Sequence, residues 1–174
     1  METRFENTTV DTEQVLCNLY RFGQKKLIRR QVILMSVFLG ISIVAMVLLE
    51  SSVFLILVAY YVYLLVKAIN HARTNGRKSY LRRLEYYDNS MPPMTHRFYD
   101  DYFVSNDVDS TNITPYCKIK RVVIRDGMVW IVRKNGEIYY MCADGFTKGT
   151  LEAFRLFIQM KAPQAFSENK TTQN

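Results

Sequence analysis

Hydrophobic positions fall along this chain in three rhythms, and each predicts a different kind of element. From Val32 to Val66 they are nearly continuous. VILMSVFLGISIVAMVLL holds 18 residues without a charge, SSVFLILVAYYVYLLV holds 16 from Ser51, and Glu50 stands between them. A bilayer core of about 30 Å takes roughly 20 apolar residues in a helix, so each run spans, the second when continued through Ala68 and Ile69. One straight helix would hold Glu50 near the bilayer centre at high cost. The pattern therefore predicts transmembrane helices over 32–49 and 52–69, joined by an external turn at 50–51.

The segments on either side are mixed. Residues 1–31 read as a short strand, METRFENTTV, followed by a helix. Asp11 or Thr12 is its candidate cap, and Val15, Leu16, Leu19, Tyr20 and Phe22 fall near helical spacing. Residues 70–93 read as a basic juxtamembrane segment and linker, helical except at Thr74-Asn75-Gly76 and ending in DNSMPP.

Beyond the linker the period changes to two. HRFYDDYFVSN predicts a hairpin bending at Asp100-Asp101, and Asp126-Gly127 and Asn135-Gly136 are dipeptides that favour tight hairpin turns. About five antiparallel strands result. Thr150 then caps a helix carrying Leu151, Phe154, Phe157 and Ile158 on one face, which Pro163 ends. A domain over 94–166 follows, with a disordered tail at 167–174. The fold class is α+β: a two-helix transmembrane hairpin plus a small antiparallel sheet domain closed by a C-terminal helix.

Charge sharpens this picture once it is divided along the chain. The net charge is +7, yet residues 84–174 carry eleven basic and eleven acidic residues. The excess lies beside the apolar runs, and the turn between them has no Lys or Arg. By the positive-inside rule both termini are cytoplasmic. Lys25, Lys26, Arg29, Arg30, Lys67, Arg73, Arg77, Lys78, Arg82 and Arg83 are candidate contacts for anionic inner-leaflet lipids, each worth about 1 kcal/mol near the surface. A neutral folded domain argues against nucleic acid as a partner.

Ser36 and Gly40 make a small-xxx-small pair, suited to packing within the hairpin, with Ala59 opposite, or to a homodimer. Cys17, Cys117 and Cys142 form no CxxC, and His71 and His96 have no ligand-like spacing to them, so neither a metal site nor a cofactor is expected. No phosphate loop or nucleophile elbow is present. No catalytic residues are assigned, and the chain is read as a non-enzyme.

FYDDYFVSN, then Tyr116-x-x-Ile119-x-x-Val122, then GFTKGTLEAFRLFI resembles the C-terminal domain of YcxB-like membrane proteins of bacteria. The resemblance rests on Phe98, Tyr99, Asp100, Tyr116, Ile119, Phe146, Gly149 and Phe154, positions that a turn, a core and a helix start require. It implies a pleckstrin-homology-like domain in the bacterial cell membrane and no established activity. The expected function is a non-catalytic module held at the inner leaflet, binding a protein partner or lipid headgroup. A small membrane immunity or stress factor acting through its spans, or an accessory subunit of a transporter, are the alternatives.

Overall fold

In a computed structural model, which describes residues 2–49 and 53–167, the chain divides into two compact units. One comprises residues 12–89. The other is assembled from the first eleven residues and everything from Ser90 onward.

The first unit is a pair of long antiparallel helices, α1 (Glu13–Leu49) and α2 (Val53–Tyr86). Both are long and apolar enough to cross a membrane. Thr12 caps α1, its Oγ1 accepting from the Val15 N–H at 3.2 Å. The apolar runs form only part of each helix, because each continues well into the basic sequence. No break occurs at Thr74-Asn75-Gly76, contrary to expectation. Asn75 bonds within the helix to His71 at 2.9 Å, and Gly76 is where α1 comes closest. A Cβ there would stand 2.5 Å from Cys17 Cα. The glycine is a close-approach residue, not a breaker. The helix stops at Asp88 and Asn89, which adopt positive φ angles of 48° and 63°, and the Asn89 N–H returns to the Leu84 carbonyl.

The second unit holds eight strands in two antiparallel sheets, against about five expected. The larger sheet has the order β4-β3-β2-β1-β8. Its strands are β1 (Phe5–Val10), β2 (Pro93–Phe98), β3 (Tyr102–Asp107), β4 (Ser110–Pro115) and β8 (Phe146–Lys148). The smaller sheet is β5 (Ile119–Arg125), β6 (Met128–Arg133) and β7 (Ile138–Cys142).

The sequence leaves open whether residues 1–10 pair with the C-terminal sheet, and β1 does so. It lies between β2 and β8, with Phe5 opposite Phe98 and Val10 opposite Pro93. A domain drawn at 94–166 therefore lacks an interior strand, and the helical pair is an insertion between two neighbouring strands of one sheet. The physical reason is pairing: an interior strand satisfies the backbone groups of two neighbours, which would otherwise be two open edges.

The expected turns are present. Tyr99–Asp101 joins β2 to β3, and Asp126 and Gly127, at φ of 56° and 71°, join β5 to β6. The helix α3 (Leu151–Lys161) is capped by Thr150, whose Oγ1 accepts from the Ala153 N–H. A short helix α4 (Gln164–Ser167) follows at the end of the expected domain, with Ala165 buried and only Ser167 falling in the expected tail. The turn at 50–51 and residues 168–174 lie outside the described residues.

The core is shared by both sheets and α3: Ile119, Val122, Val129, Ile131 and Met141 of the smaller sheet join Phe98 and Phe103 of the larger one and Phe154 and Ile158 of α3. Phe5, Phe98 and Phe103 make one inward-facing row across β1, β2 and β3. Phe98 stacks on Phe103 at 5.3 Å, and Phe154 of α3 meets the Phe98 ring edge-on at 4.7 Å. Rows of this kind contribute both buried area and ring geometry.

Candidate functional site

Two regions of the molecule hold polar groups in unusual places. The first is the next inward-facing row of the larger sheet. Two residues along from the phenylalanines, Asn7 stands opposite His96 and His96 opposite Ser105, all buried.

Their partners explain the burial. Among the described residues strand β7 pairs only with β6, so its other edge carries backbone groups that no described strand satisfies. His96 Nε2 donates to the Tyr140 carbonyl at 3.0 Å. Asn7 Nδ2 donates to the Cys142 carbonyl at 2.8 Å, and the Cys142 N–H donates to Thr9 Oγ1 at 2.9 Å. The Thr9 hydroxyl donates in turn to Asn7 Oδ1 at 2.9 Å. Side chains of β1 and β2 thus take the place of a missing neighbour strand and join the two sheets. Asp11, expected as a helix cap, instead accepts from the Tyr140 hydroxyl at 2.7 Å.

This cluster is shaped for structure. His96 is fully buried, and burial lowers its pKa to about 4 against the opposing pull of the Tyr140 carbonyl and Asp107. The ring is neutral at pH 7. Its Nδ1 has no partner among the described residues, and the residue has no exposed surface. Burial likewise raises the pKa of the Cys142 thiol, which keeps it from the thiolate form that nucleophilic chemistry needs. Among the described residues no group of three or more His, Cys, Asp or Glu side chains is placed to hold a metal ion.

The positions behind the family resemblance lie in the same unit. Phe98, Ile119 and Phe154 have no exposed surface, and Phe146 packs on Phe154 at 5.2 Å between rings. The Tyr116 hydroxyl donates to the Tyr99 carbonyl at 2.6 Å, and burial together with Asp100 and Asp101 raises its pKa. Asp100 accepts from Arg4 at 3.2 Å and stands 3.9 Å from Lys161. Gly149 takes a positive φ of 84° beside the Phe5 ring, a position that a side chain would strain. Each of these eight residues has a packing or bonding role in the sheet domain.

The second region is the basic half of the helical pair. Between Glu13 and Glu85 the only acidic residue is Glu50, while the basic segments supply Arg21 and all ten candidate lipid contacts. Lys25, Lys26, Arg29, Arg30, Lys67, Arg73, Arg77, Lys78 and Arg82 are exposed, and Arg83 is half-buried. Lys67 Nζ lies 6.0 Å from the Tyr63 ring centroid. Five like-charged pairs recur four residues apart: Arg21–Lys25, Lys25–Arg29, Lys26–Arg30, Arg73–Arg77 and Lys78–Arg82. Each such pair destabilises a helix by about 0.2–0.5 kcal/mol. A bound anion relieves that repulsion.

Above the basic half the surface is apolar. Val47, Leu48 and Ile56 expose 67%, 74% and 71% of their surface. Ser36 and Gly40 do not meet α2 as the packing expectation had it. Both are exposed on an outer groove of α1 with Val44 and Leu48, a Cβ on Gly40 would touch nothing, and Ala59 is exposed as well. The pair is held instead by Ala72 and Gly76 near Cys17, by Phe38 stacked on Tyr61, and around buried Ser42.

Comparison of the chain with protein-family models, with curated proteins and with solved structures found no match in any of the three.

Proposed function

We propose that this chain is a two-span integral protein of the bacterial cell membrane, with both termini cytoplasmic. In this reading the hairpin holds a pleckstrin-homology-like, YcxB-like sheet domain at the inner leaflet as a non-catalytic interaction module. The observation that carries it is the exposed apolar surface of both helices between Val32 and Val66. Apolar area costs about 25 cal/mol per Å² in water, and soluble monomers rarely carry so extended an apolar patch. Lipid tails remove that cost.

The basic residues nearest the apolar runs support the same placement. Lys25, Lys26, Arg29, Arg30 and Lys67 lie within about 10 Å of the ends of those runs along the helix axes, at a rise of about 1.5 Å per residue. That is headgroup depth. The outward position of Ser36 and Gly40 leaves their face to lipid or to a second copy of the chain. Two antiparallel sheets with a C-terminal helix over the core support the pleckstrin-homology-like reading.

Extraction of membranes with alkaline carbonate tests the proposal. The protein is expected to stay in the pellet and to leave it only with detergent. Release into the carbonate supernatant would overturn the membrane reading.

A further inference from the structure

The ten basic residues grouped as lipid contacts divide by height once α2 is seen to be continuous. Arg73 stands about 10 Å beyond Val66 along the axis, the headgroup depth already given to Lys25, whereas Arg77 stands about 16 Å, Lys78 about 18 Å and Arg82 about 24 Å beyond it, at about 1.5 Å per residue. A tilt of roughly 20° shortens these distances by less than a tenth. The screening length at physiological ionic strength is about 8 Å. A break at residues 74–76 would have let this segment lie along the leaflet, but an unbroken helix carries it away. The distal charges therefore lie beyond the reach of the headgroups and are free to meet another anion.

Their arrangement defines its chemistry. The outer face of distal α2 consists of two columns at four-residue spacing. One reads Arg73, Arg77, Leu81, Glu85 and the other Thr74, Lys78, Arg82, Tyr86, and all eight are exposed. Leu81 is 50% and Tyr86 71% exposed. Basic groups are thus interleaved with two large apolar side chains, and one acid closes the row. The acid of α1 at this level is Glu13, one turn before Cys17, which packs against Gly76.

We propose that distal α2 docks an acidic, amphipathic segment of a protein partner, whose carboxylates meet Arg77, Lys78 and Arg82 and whose apolar residues cover Leu81 and Tyr86. A polyphosphate backbone would leave Leu81 uncovered and would meet Glu85. A protein helix with Glu on one flank and Leu on its face satisfies both columns. The proposal rests on the membrane reading, since that reading keeps lipid headgroups away from this face.

The test uses the full-length protein in phosphatidylcholine nanodiscs and a labelled 18-residue helical peptide of Glu, Ala and Leu. Saturable binding is expected, weakened at least tenfold by Arg77→Gln with Arg82→Gln and also weakened by Leu81→Ser. Binding retained in Arg77→Lys with Arg82→Lys, and little affected by Lys25→Gln with Arg29→Gln, supports the site. Absence of saturable binding overturns the proposal, as does an unaffected Arg77→Gln, Arg82→Gln variant or tighter binding of a 20-nucleotide single-stranded RNA. Failure to enter the nanodiscs overturns the membrane reading instead, so the two failures are told apart.

Discussion

The helical pair carries its apolar residues on the outside, whereas the sheet domain holds polar residues at its centre. Each inverts the usual arrangement of a water-soluble protein, and for opposite reasons. Between Val32 and Val66 exposed Val, Leu and Ile lie on helices long and apolar enough to cross a membrane, and in the proposed reading lipid covers them. Inside the sheet domain Asn7, Thr9 and His96 are buried because the free edge of β7 offers donors and acceptors for them. A buried polar residue is thus explained by the backbone it satisfies, and an exposed apolar one by the medium it faces.

The comparison breaks first if β1 is dispensable. The fragment 90–167 is expected to show the circular dichroism of an unfolded chain. Residues 2–11 joined to 90–167 by a short Gly-Asn linker are expected to fold, because Val10 and Pro93 already stand opposite each other. Within that fused domain, Phe98→Ala removes the ring at the centre of the aromatic row, and a loss of about 3–5 kcal/mol in urea unfolding is expected.

Next in size is a pH effect. The unfolded chain takes up a proton at His96 near pH 6.5, and the folded one does not until about pH 4. The stability due to neutral His96 is therefore full above pH 6.5 and declines as pH falls toward 4, by about 3 kcal/mol in all. Urea titrations at pH 7 and pH 4.5 measure the decline, and His96→Gln should flatten its steepest part. Asn7→Ala is smaller: it strands the Cys142 carbonyl, and about 1–3 kcal/mol is expected from the same titration.

The smallest effect on the sheet domain belongs to the helical pair. Gly76→Val places a side chain against the Cys17 backbone and should lower the thermal stability of the helices in detergent. The unfolding of the fused sheet domain, which lacks these helices, gives the unaltered reference.

What was legible from sequence was local. Uninterrupted apolar runs, the Asp126-Gly127 turn and the Thr150 cap declare themselves within a few residues, and all three elements are present. Whether β1 pairs with the later strands stayed open because its partner β2 begins beyond the entire helical pair, and because FENTTV alternates without an apolar face. Asn7 and Thr9 read as solvent-facing until the edge of β7 is brought to them. Continuity through Thr74-Asn75-Gly76 was hidden for a related reason. Local propensity marks that tripeptide as a breaker, and only contact with Cys17 shows what the glycine is for. Strand β4, STNITP, left no burial signal, since four of its six residues are exposed at the sheet edge. As for the candidate lipid residues, their identity was plain, but their division by height required an unbroken α2.

The central claim is that the chain leaves its sheet after β1, crosses the membrane twice and returns to the same sheet at β2. A membrane-impermeant maleimide applied to intact cells tests it most directly, with Ser51→Cys reporting on the turn and the exposed native Cys117 on the sheet domain. Labelling is predicted for Ser51→Cys in intact cells and for Cys117 only after the membrane is permeabilised. Labelling of Cys117 in intact cells, or protection of Ser51→Cys from the reagent, would contradict the account.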